Sequence, residues 1–406
     1  EGHPPTPDGG RGWPPRGVQE RARGWRGGSP GARRAARTGR PLRVKLGIDP
    51  SAPHLTLGHA VVIRKLRQFQ QLGHTAILLV GDFTRLVGDP SGESSTRPLM
   101  TPADIEANMR TYREQAFKLL DPARTEVRYN SEWLSKLGVE GVIQLTSAYT
   151  VARMLEREDF SKRFKGNSPI SVLEFLYPLL QAYDSVALQA DVELGGHDQL
   201  FNLLIGRDIQ QHYGQEPQVV LTVPLLIGTD GTRAMGQSKG NYIGISEPPE
   251  QIFGKVMSLP DHLMQPYYEL LTDVPWAEVA GLHPKACKQR LGLLIVAQCH
   301  DEAAARAAQD AFERVYARKE LPEAMPTVAM PPDPIWIVEL LERAGLIESR
   351  SQARRLIQQG GVQLDGEKVS DVERQVTPHD GLVVKAGKHK FVKVKVEGKK
   401  GKGEEG

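Results

Sequence analysis

The sequence predicts an α/β protein: a doubly wound parallel sheet, then a helical region, then a small α+β module at the carboxyl end. Three observations carry that prediction. A strand-like run from Val44 to Asp49 leads through a turn into a helical pattern. After it comes the unbroken apolar run Ala76 to Val80, which suits a parallel strand covered on both faces. Strand, helix and strand in that order form the crossover unit of such a sheet. Further on, residues 250 to about 320 read as mostly helical, and beyond a proline-rich stretch the chain becomes basic, with short strands.

Taken in order, residues 1–40 hold nine arginines against three acids, are rich in Gly and Pro, and show no periodicity. They are expected to be disordered, either as an RNA-attracting arm or as an unselected extension. The first strand ends at a turn around Pro50 and Pro53, and Gly58-His59-Ala60 opens a helix on which Val62, Leu66 and Phe69 recur at helical spacing. Gly73 is placed to stop it. Helices are expected over Phe175–Leu188 and Gln199–Tyr213, and a buried strand over Val219–Val223. The division that follows is a sheet domain at 41–245, a helical domain at 246–320, a linker at 321–334, the basic module at 335–397 and a disordered tail at 398–406. The chain has no internal repeat.

Composition narrows the function classes. The 406 residues are 39% hydrophobic and 25% charged, enough for two or three domains with a sizeable core. No apolar run approaches the roughly 20 residues that span a bilayer, and the start lacks the apolar centre of a secretory signal, so a cytoplasmic address is expected. Cys287 and Cys299 are too few for a disulfide framework and lack the spacing of a zinc site, so both are expected to be buried thiols. A net charge of +3 says little about partners, but both chain ends are locally basic.

The densest chemistry lies in Gly47-Ile48-Asp49-Pro50-Ser51-Ala52-Pro53-His54-Leu55-Thr56-Leu57-Gly58-His59. Here the chain leaves the carboxyl end of a strand and enters a helix amino terminus, where free N–H groups and the helix dipole favour an anion. Gly58 allows a nucleotide to approach closely, His59 can donate to a phosphate, and Asp49 can hold an amine or a hydroxyl. A second constellation, "EFLYPLLQAYDSVAL", sets Tyr177, Gln181 and Asp184 three and four residues apart on one helical face. Flanked by Leu176, Leu179, Leu180, Val186 and Leu188, this polar face is expected to line a cavity rather than meet solvent. A carboxylate and an amide facing a cavity can pair with a phenol hydroxyl and an ammonium.

These blocks, with the flanks "GIDPSAP" and "VVIRKLRQFQQLGH", the run Gly88-Asp89-Pro90-Ser91-Gly92, and "ADVELGGHDQLFNLLIGRDIQ", resemble the bacterial tyrosyl-tRNA synthetases, a class I family with a Rossmann-like catalytic domain. The resemblance covers Pro41 to about Val396. It implies a ligase that uses ATP, accompanied by Mg²⁺, to make tyrosyl-adenylate and then charges tRNA(Tyr), acting as a homodimer without a structural metal. Asp184 would bind the tyrosine hydroxyl, and Tyr177, Gln181 and Gln199 would surround the amino end, with Asp49 nearby. Gly195, Gly196 and Asp198 would meet the ATP ribose. Ser51, Thr56, Gly58 and His59 belong to the first signature, in which Thr56 stands where the family has histidine.

"GTDGTRAMGQSKGNYIGI" corresponds to the second signature loop, usually written KMSKS, and here reads Ala234-Met235-Gly236-Gln237-Ser238. Both lysine positions are neutral, while Arg233 and Lys239 flank the loop as substitute cations for departing pyrophosphate. Glu93 follows Gly92 where relatives commonly place a basic residue, and Arg97 lies nearby. Slowed adenylation is therefore expected, and the alternative is a paralogue that binds tyrosine or RNA without efficient activation.

In the basic module, Ser349 or Ser351 can cap a helix carrying Arg354 and Arg355, Gly360 can end it, and Asp365-Gly366 makes a turn after Val362–Leu364. The pattern resembles the small RNA-binding domain shared by a ribosomal protein, pseudouridine synthases and tyrosyl-tRNA synthetases. By that resemblance Arg350, Arg354, Arg355 and Lys368 meet RNA phosphates. "HKFVKVKV" is expected to be a half-buried edge strand.

Overall fold

The structure, a computed structural model, describes residues 39–50, 53–88, 102–317, 325–347, 349–387 and 390–396. Expectations for residues 1–38, Ser51, the Asp89–Gly92 run, Glu93, Arg97 and the tail 398–406 fall outside them. The chain divides into two compact units, Glu1–Gln309 and Asp310–Gly406.

The first unit is built on five parallel strands in the order β3-β2-β1-β4-β5: β1 (Arg43–Ile48), β2 (Thr75–Val80), β3 (Thr125–Tyr129), β4 (Val192–Gly196) and β5 (Val219–Val223). β1 is central. The chain winds outward from it through β2 and β3, and β4 then returns to its other side, so the order reverses between β1 and β4. In open α/β sheets that reversal opens a crevice at the carboxyl ends of the strands, where ligands bind.

Helix α1 (Leu57–Gln71) joins β1 to β2 and buries Ala60, Ile63, Leu66 and Phe69. Gly73 follows it with φ of +89°, a conformation that favours glycine. Ile77 and Leu79 of β2 pack with Trp133 and with Leu188. Ala76, Leu78 and Val80 alternate with them toward the opposite face and are also buried, so β2 is covered on both sides. Each Ile, Leu or Val side chain among them, fully buried, contributes about 1.5–3 kcal/mol. α2 (Thr84–Val87), α3 (Pro102–Ala116) and α4 (Gly138–Ser147) precede α5 (Val172–Leu188), the 3-10 turn His197–Gln199 and α6 (Leu200–His212). Ser171 caps α5 in a reciprocal box with Glu174. Helices α7 (Pro249–Met257), α8 (Met264–Leu271), α9 (Pro284–Cys299) and α10 (Glu302–Ala317) follow. Cys287 and Cys299 are free thiols buried among them, and burial pushes the Cys299 thiol up to about 12.

The second unit holds β6 (Thr327–Met330), β7 (Ile335–Trp336), α11 (Ile337–Arg343), α12 (Arg350–Gln358), β8 (Val362–Leu364), β9 (Glu367–Val369), β10 (Gln375–Val376), β11 (Val383–Ala386) and β12 (Lys390–Val396). Its main sheet runs β6-β12-β11-β8-β9. Two expectations change here. The proline-rich stretch contributes a strand, since Thr327–Met330 pairs in parallel with β12. That pairing makes β12 an interior strand rather than an edge, although its side chains alternate between buried and exposed as expected. Asp365 and Gly366 both have positive φ, 47° and 87°, as the tight turn between β8 and β9 requires.

Candidate active site

Thr56, Gly58 and His59 sit at the start of α1, beyond the carboxyl end of β1. The Thr56 N–H donates to His59 Nδ1 at 3.1 Å, and the Thr56 hydroxyl lies 2.9 Å from the same nitrogen. A nitrogen that accepts a backbone N–H carries no proton, so the neutral ring holds its proton on Nε2. Burial pushes the His59 pKa down to about 4, which keeps the ring neutral at physiological pH. Nε2–H is thus a donor without charge, while Thr56, itself 2% exposed, directs its side chain at His59.

The second loop is joined to the first signature through the backbone. Leu57 N–H donates to Ile243 O at 2.9 Å and Ile245 N–H to Leu55 O at 3.0 Å, around a bridge between Thr56 and Gly244. A Cβ on Gly58 would lie 3.8 Å from that of Met235. Gln237 Nε2 donates to His54 O, and Ser238 is exposed. Arg233 pairs with Asp230 at 2.8 Å, and the Lys239 ammonium turns back to Ala234 O at 3.1 Å. Although burial pushes the Asp230 carboxyl up, donors from Thr232, Arg233 and Asn241 hold it well below the usual range. Both flanking cations are therefore engaged within their own loop.

The polar face of α5 lies against β1. Tyr177 donates its hydroxyl to Asp49 Oδ2 at 2.8 Å, and Thr84 donates to Oδ1 at 3.0 Å. Asp184, 2% exposed, accepts from Trp133 Nε1 at 2.8 Å and from Asn130 Nδ2 at 3.2 Å. Burial raises its carboxyl to about 7, against the pull of Lys45 and these two donors. Asn130 also donates to Thr84, so a chain of hydrogen bonds runs from Asp184 through Asn130 and Thr84 to Asp49 and Tyr177. The sequence did not single out Thr84, Asn130 or Trp133: each comes from a different segment without a motif.

Gln181 lies between Tyr177 and Asp184 on α5, with its NH₂ toward Glu193 Oε1 at 3.3 Å. At the end of β4, Gly195 and Gly196 lead into the turn that carries Asp198 and Gln199. A Cβ on Gly196 would meet the ends of the Asp198 and Leu225 side chains, the latter at 2.9 Å, so both would have to turn away to admit one. Gln199 accepts from Asn202 at 3.2 Å. Among the described residues, no three His, Cys, Asp or Glu side chains converge as a metal site would require. In the second unit Ser349 caps α12, whose Arg350, Arg354 and Arg355 are exposed, as is Lys368 on β9. Arg350 pairs with Glu342 at 2.8 Å, and Arg354 lies 5.5 Å over the Trp336 ring.

A sheet with its order reversed beside β1, a helix amino terminus carrying a neutral imidazole donor, and a glycine-rich loop joined to it by backbone pairing are features of a nucleotide site in a doubly wound sheet. Residues 37–317 match the family of class I tRNA synthetases of the W and Y type, and residues 335–382 match the S4 domain. The chain is 55% identical over 378 residues to the tyrosine–tRNA ligase of Bordetella pertussis, an alignment covering 90% of this chain and 92% of that one. With the tyrosine–tRNA ligase of Thermotoga maritima the identity is 52% over 362 residues, covering 87% and 90%. The chain belongs to the tyrosyl-tRNA synthetase family. Its fold also matches the tyrosyl-tRNA synthetase of Archaeoglobus fulgidus solved with L-tyrosine, with a TM-score of 0.57 and 23% identity over 69% of this chain and 93% of that one.

Proposed function

We propose that this chain is an ATP-dependent tyrosine–tRNA ligase. The tyrosine carboxylate attacks the α-phosphorus of ATP in line, expelling pyrophosphate and giving tyrosyl-adenylate. A terminal ribose hydroxyl of tRNA(Tyr) then attacks the acyl carbon and AMP leaves. No side chain is needed as a covalent nucleophile, so catalysis rests on positioning and charge stabilisation. The observation that carries this reading is the Tyr177–Asp49 hydrogen bond of 2.8 Å, which holds the polar face of α5 at the strand end where α1 begins.

In that frame Asp184 takes the phenol hydroxyl, and Gln181, Gln199, Tyr177 and Asp49 surround the amino end. Gly58 and the Gly195-Gly196-Asp198 turn take the nucleotide, with Met235 beside it. The His59 Nε2–H donates to a phosphate oxygen, and Ser51, Gln237 and Ser238 complete the signature loops. Thr56 acts through the His59 tautomer. Arg233 and Lys239 supply charge to the leaving pyrophosphate once the loop releases them, and Mg²⁺ enters with ATP as part of the substrate.

Residues 41–245 carry adenylation, 246–320 form the helical domain, and the module that β6 joins by pairing with β12 binds RNA through Arg350, Arg354, Arg355 and Lys368. A homodimer is supported by exposed apolar side chains on the first unit: Val139 and Ile143 on α4, Val151, Phe164, and Leu200 and Leu204 on α6. No helix among the described residues is long and apolar enough to cross a membrane, and the proposed location is cytoplasmic, where tRNA is charged. Tyrosine-dependent exchange of labelled pyrophosphate into ATP, with phenylalanine as control, tests the reading: exchange with tyrosine alone is expected, and its absence in protein that still binds tyrosine would favour the inactive paralogue.

A further inference from the structure

Beneath the polar face of α5 lies an ion pair to which neither signature loop contributes. Lys45 and Glu193 are register partners on the parallel strands β1 and β4, with Nζ and Oε1 2.9 Å apart and side chains at most 2% exposed. Lys45 spends its three protons on Glu193, on Ser185 Oγ at 2.8 Å and on Gln181 O at 3.3 Å. Glu193 Oε1 also accepts from Gln181 Nε2, and its Oε2 accepts from Ser185 at 3.1 Å and from Gln218. Gly206 of α6 lets the helix close over this cluster, since a Cβ there would lie 2.5 Å from Gln218 Nε2 and 3.2 Å from Glu193 Oε2.

Desolvating two charges is expensive, and an apolar pair of similar volume often serves stability equally well. What the charges provide here is polarity. An ionised carboxylate only accepts, so it fixes the NH₂ of Gln181 toward itself and the amide oxygen away from it. That oxygen, Oε1, is buried and has no hydrogen-bond partner. Gln218 Oε1 is likewise unpartnered, but Gln218 lies at the start of β5, whereas Gln181 stands between Tyr177 and Asp184.

We propose that Glu193 and Lys45 are positioning residues for substrate recognition: Glu193, which accepts from Lys45, Ser185 and Gln218, locks the Gln181 amide so that its oxygen accepts the substrate ammonium. The inference rests on the ligase reading and deepens it. Were Glu193 neutral and able both to donate and to accept, the Gln181 amide could turn its NH₂ toward the ammonium and repel it. The same Lys45 charge opposes the effect of burial on the neighbouring Asp184 carboxyl.

The test uses the full chain with Glu193→Gln, the neutral pair Lys45→Met with Glu193→Gln, and Gln181→Ala. Binding of L-tyrosine is compared with binding of 3-(4-hydroxyphenyl)propanoate, which lacks the ammonium, and the KM for tyrosine and for ATP is read from pyrophosphate exchange. Glu193→Gln and the double variant should each weaken tyrosine about tenfold more than they weaken the ammonium-free analogue, leaving the ATP KM unchanged, with that excess loss matching the one in Gln181→Ala. Equal weakening of both ligands would make the pair merely structural and overturn the proposal, as would wild-type tyrosine binding in both Glu193 variants while Gln181→Ala loses it. If the wild-type chain neither binds tyrosine nor supports exchange, the ligase reading falls first and the inference with it.

Discussion

Replacing Asp184 with asparagine should stabilise the free protein at pH 8 while impairing its choice of tyrosine. Burial lifts the native carboxyl from 3.8 to about 7. Between those values the native state holds a proton that the unfolded chain has released, so stability falls as pH rises through this window, and the full cost is present above it. At about 1.4 kcal/mol per decade of proton affinity, that cost is ~4 kcal/mol. Asparagine carries no charge and removes it. Against this gain, the new amide places one NH₂ where the Trp133 and Asn130 donors both point, at 2.8 and 3.2 Å. Asn130 cannot turn to compensate, because its oxygen already accepts the Phe83 N–H at 2.9 Å. One stranded donor costs about 1–3 kcal/mol at any pH, so a net gain of about 1–3 kcal/mol is expected at pH 8 and a net loss of up to about 2 kcal/mol around pH 4, where the charge cost has nearly vanished.

Activity should move the other way. Losing a charge-assisted hydrogen bond to the phenol hydroxyl, worth about 1.5–3 kcal/mol, lowers kcat/KM for tyrosine about ten- to hundredfold. Phenylalanine, which has no hydroxyl to lose, should be unaffected, so discrimination between the two collapses. Denaturant unfolding at pH 4 and pH 8, paired with pyrophosphate exchange on both amino acids, measures all of this. A variant that keeps wild-type discrimination, or loses both substrates equally, would refute the assignment of Asp184 to the phenol. One that is destabilised at pH 8 would refute the buried-charge argument.

Restoring cations through Thr56→His, Ala234→Lys and Gln237→Lys together should raise the adenylation rate by about two to three decades, the usual worth of one preorganised donor; an unchanged rate in single-turnover assays would mean that Arg233 or Lys239 already fills the role. Arg354→Ala, Arg355→Ala and Lys368→Ala combined should raise the KM for tRNA and flatten its salt dependence by up to roughly one logarithmic unit for each phosphate no longer neutralised, without changing pyrophosphate exchange. Equal damage to both reactions would contradict a separate RNA module. Ile143→Asp with Phe164→Asp places charge on the exposed apolar side chains and should give monomers by light scattering; an unaltered dimer mass would move the interface elsewhere.

The catalytic sheet was legible because its signals are local and redundant. The strand before Asp49, the apolar run of β2 and the spacing of Tyr177, Gln181 and Asp184 each reflect a periodicity that the fold imposes directly. Lys45 shows where such reasoning stops. A lysine alternating with apolar neighbours in "VKLGI" gives no sign of being buried, since its partner Glu193 is some 150 positions away and their adjacency exists only once β4 docks on β1. Asn130 and Trp133 were illegible for the same reason. The proline-rich stretch misled through composition: its prolines flank Thr327–Met330 but leave the strand itself free to pair, and that pairing turned β12 from an edge into an interior strand.

The backbone bridge between Leu55–Leu57 and Ile243–Ile245 bears on how this enzyme can be remodelled. Thr229 N–H donates to Asn241 O at 2.9 Å across the neck of the intervening segment, and Gly228 N–H to Arg233 O and Met235 N–H to Leu226 O at 2.8 Å tie its interior to the flanking chain, so much of it is held through backbone bonds that do not depend on side-chain identity. Residues 230–240 therefore form an exchangeable cassette. A segment of equal length from a lysine-bearing relative would inherit its placement beside His59 from the frame rather than from its own sequence, and variation in these eleven positions can tune turnover without re-specifying the fold.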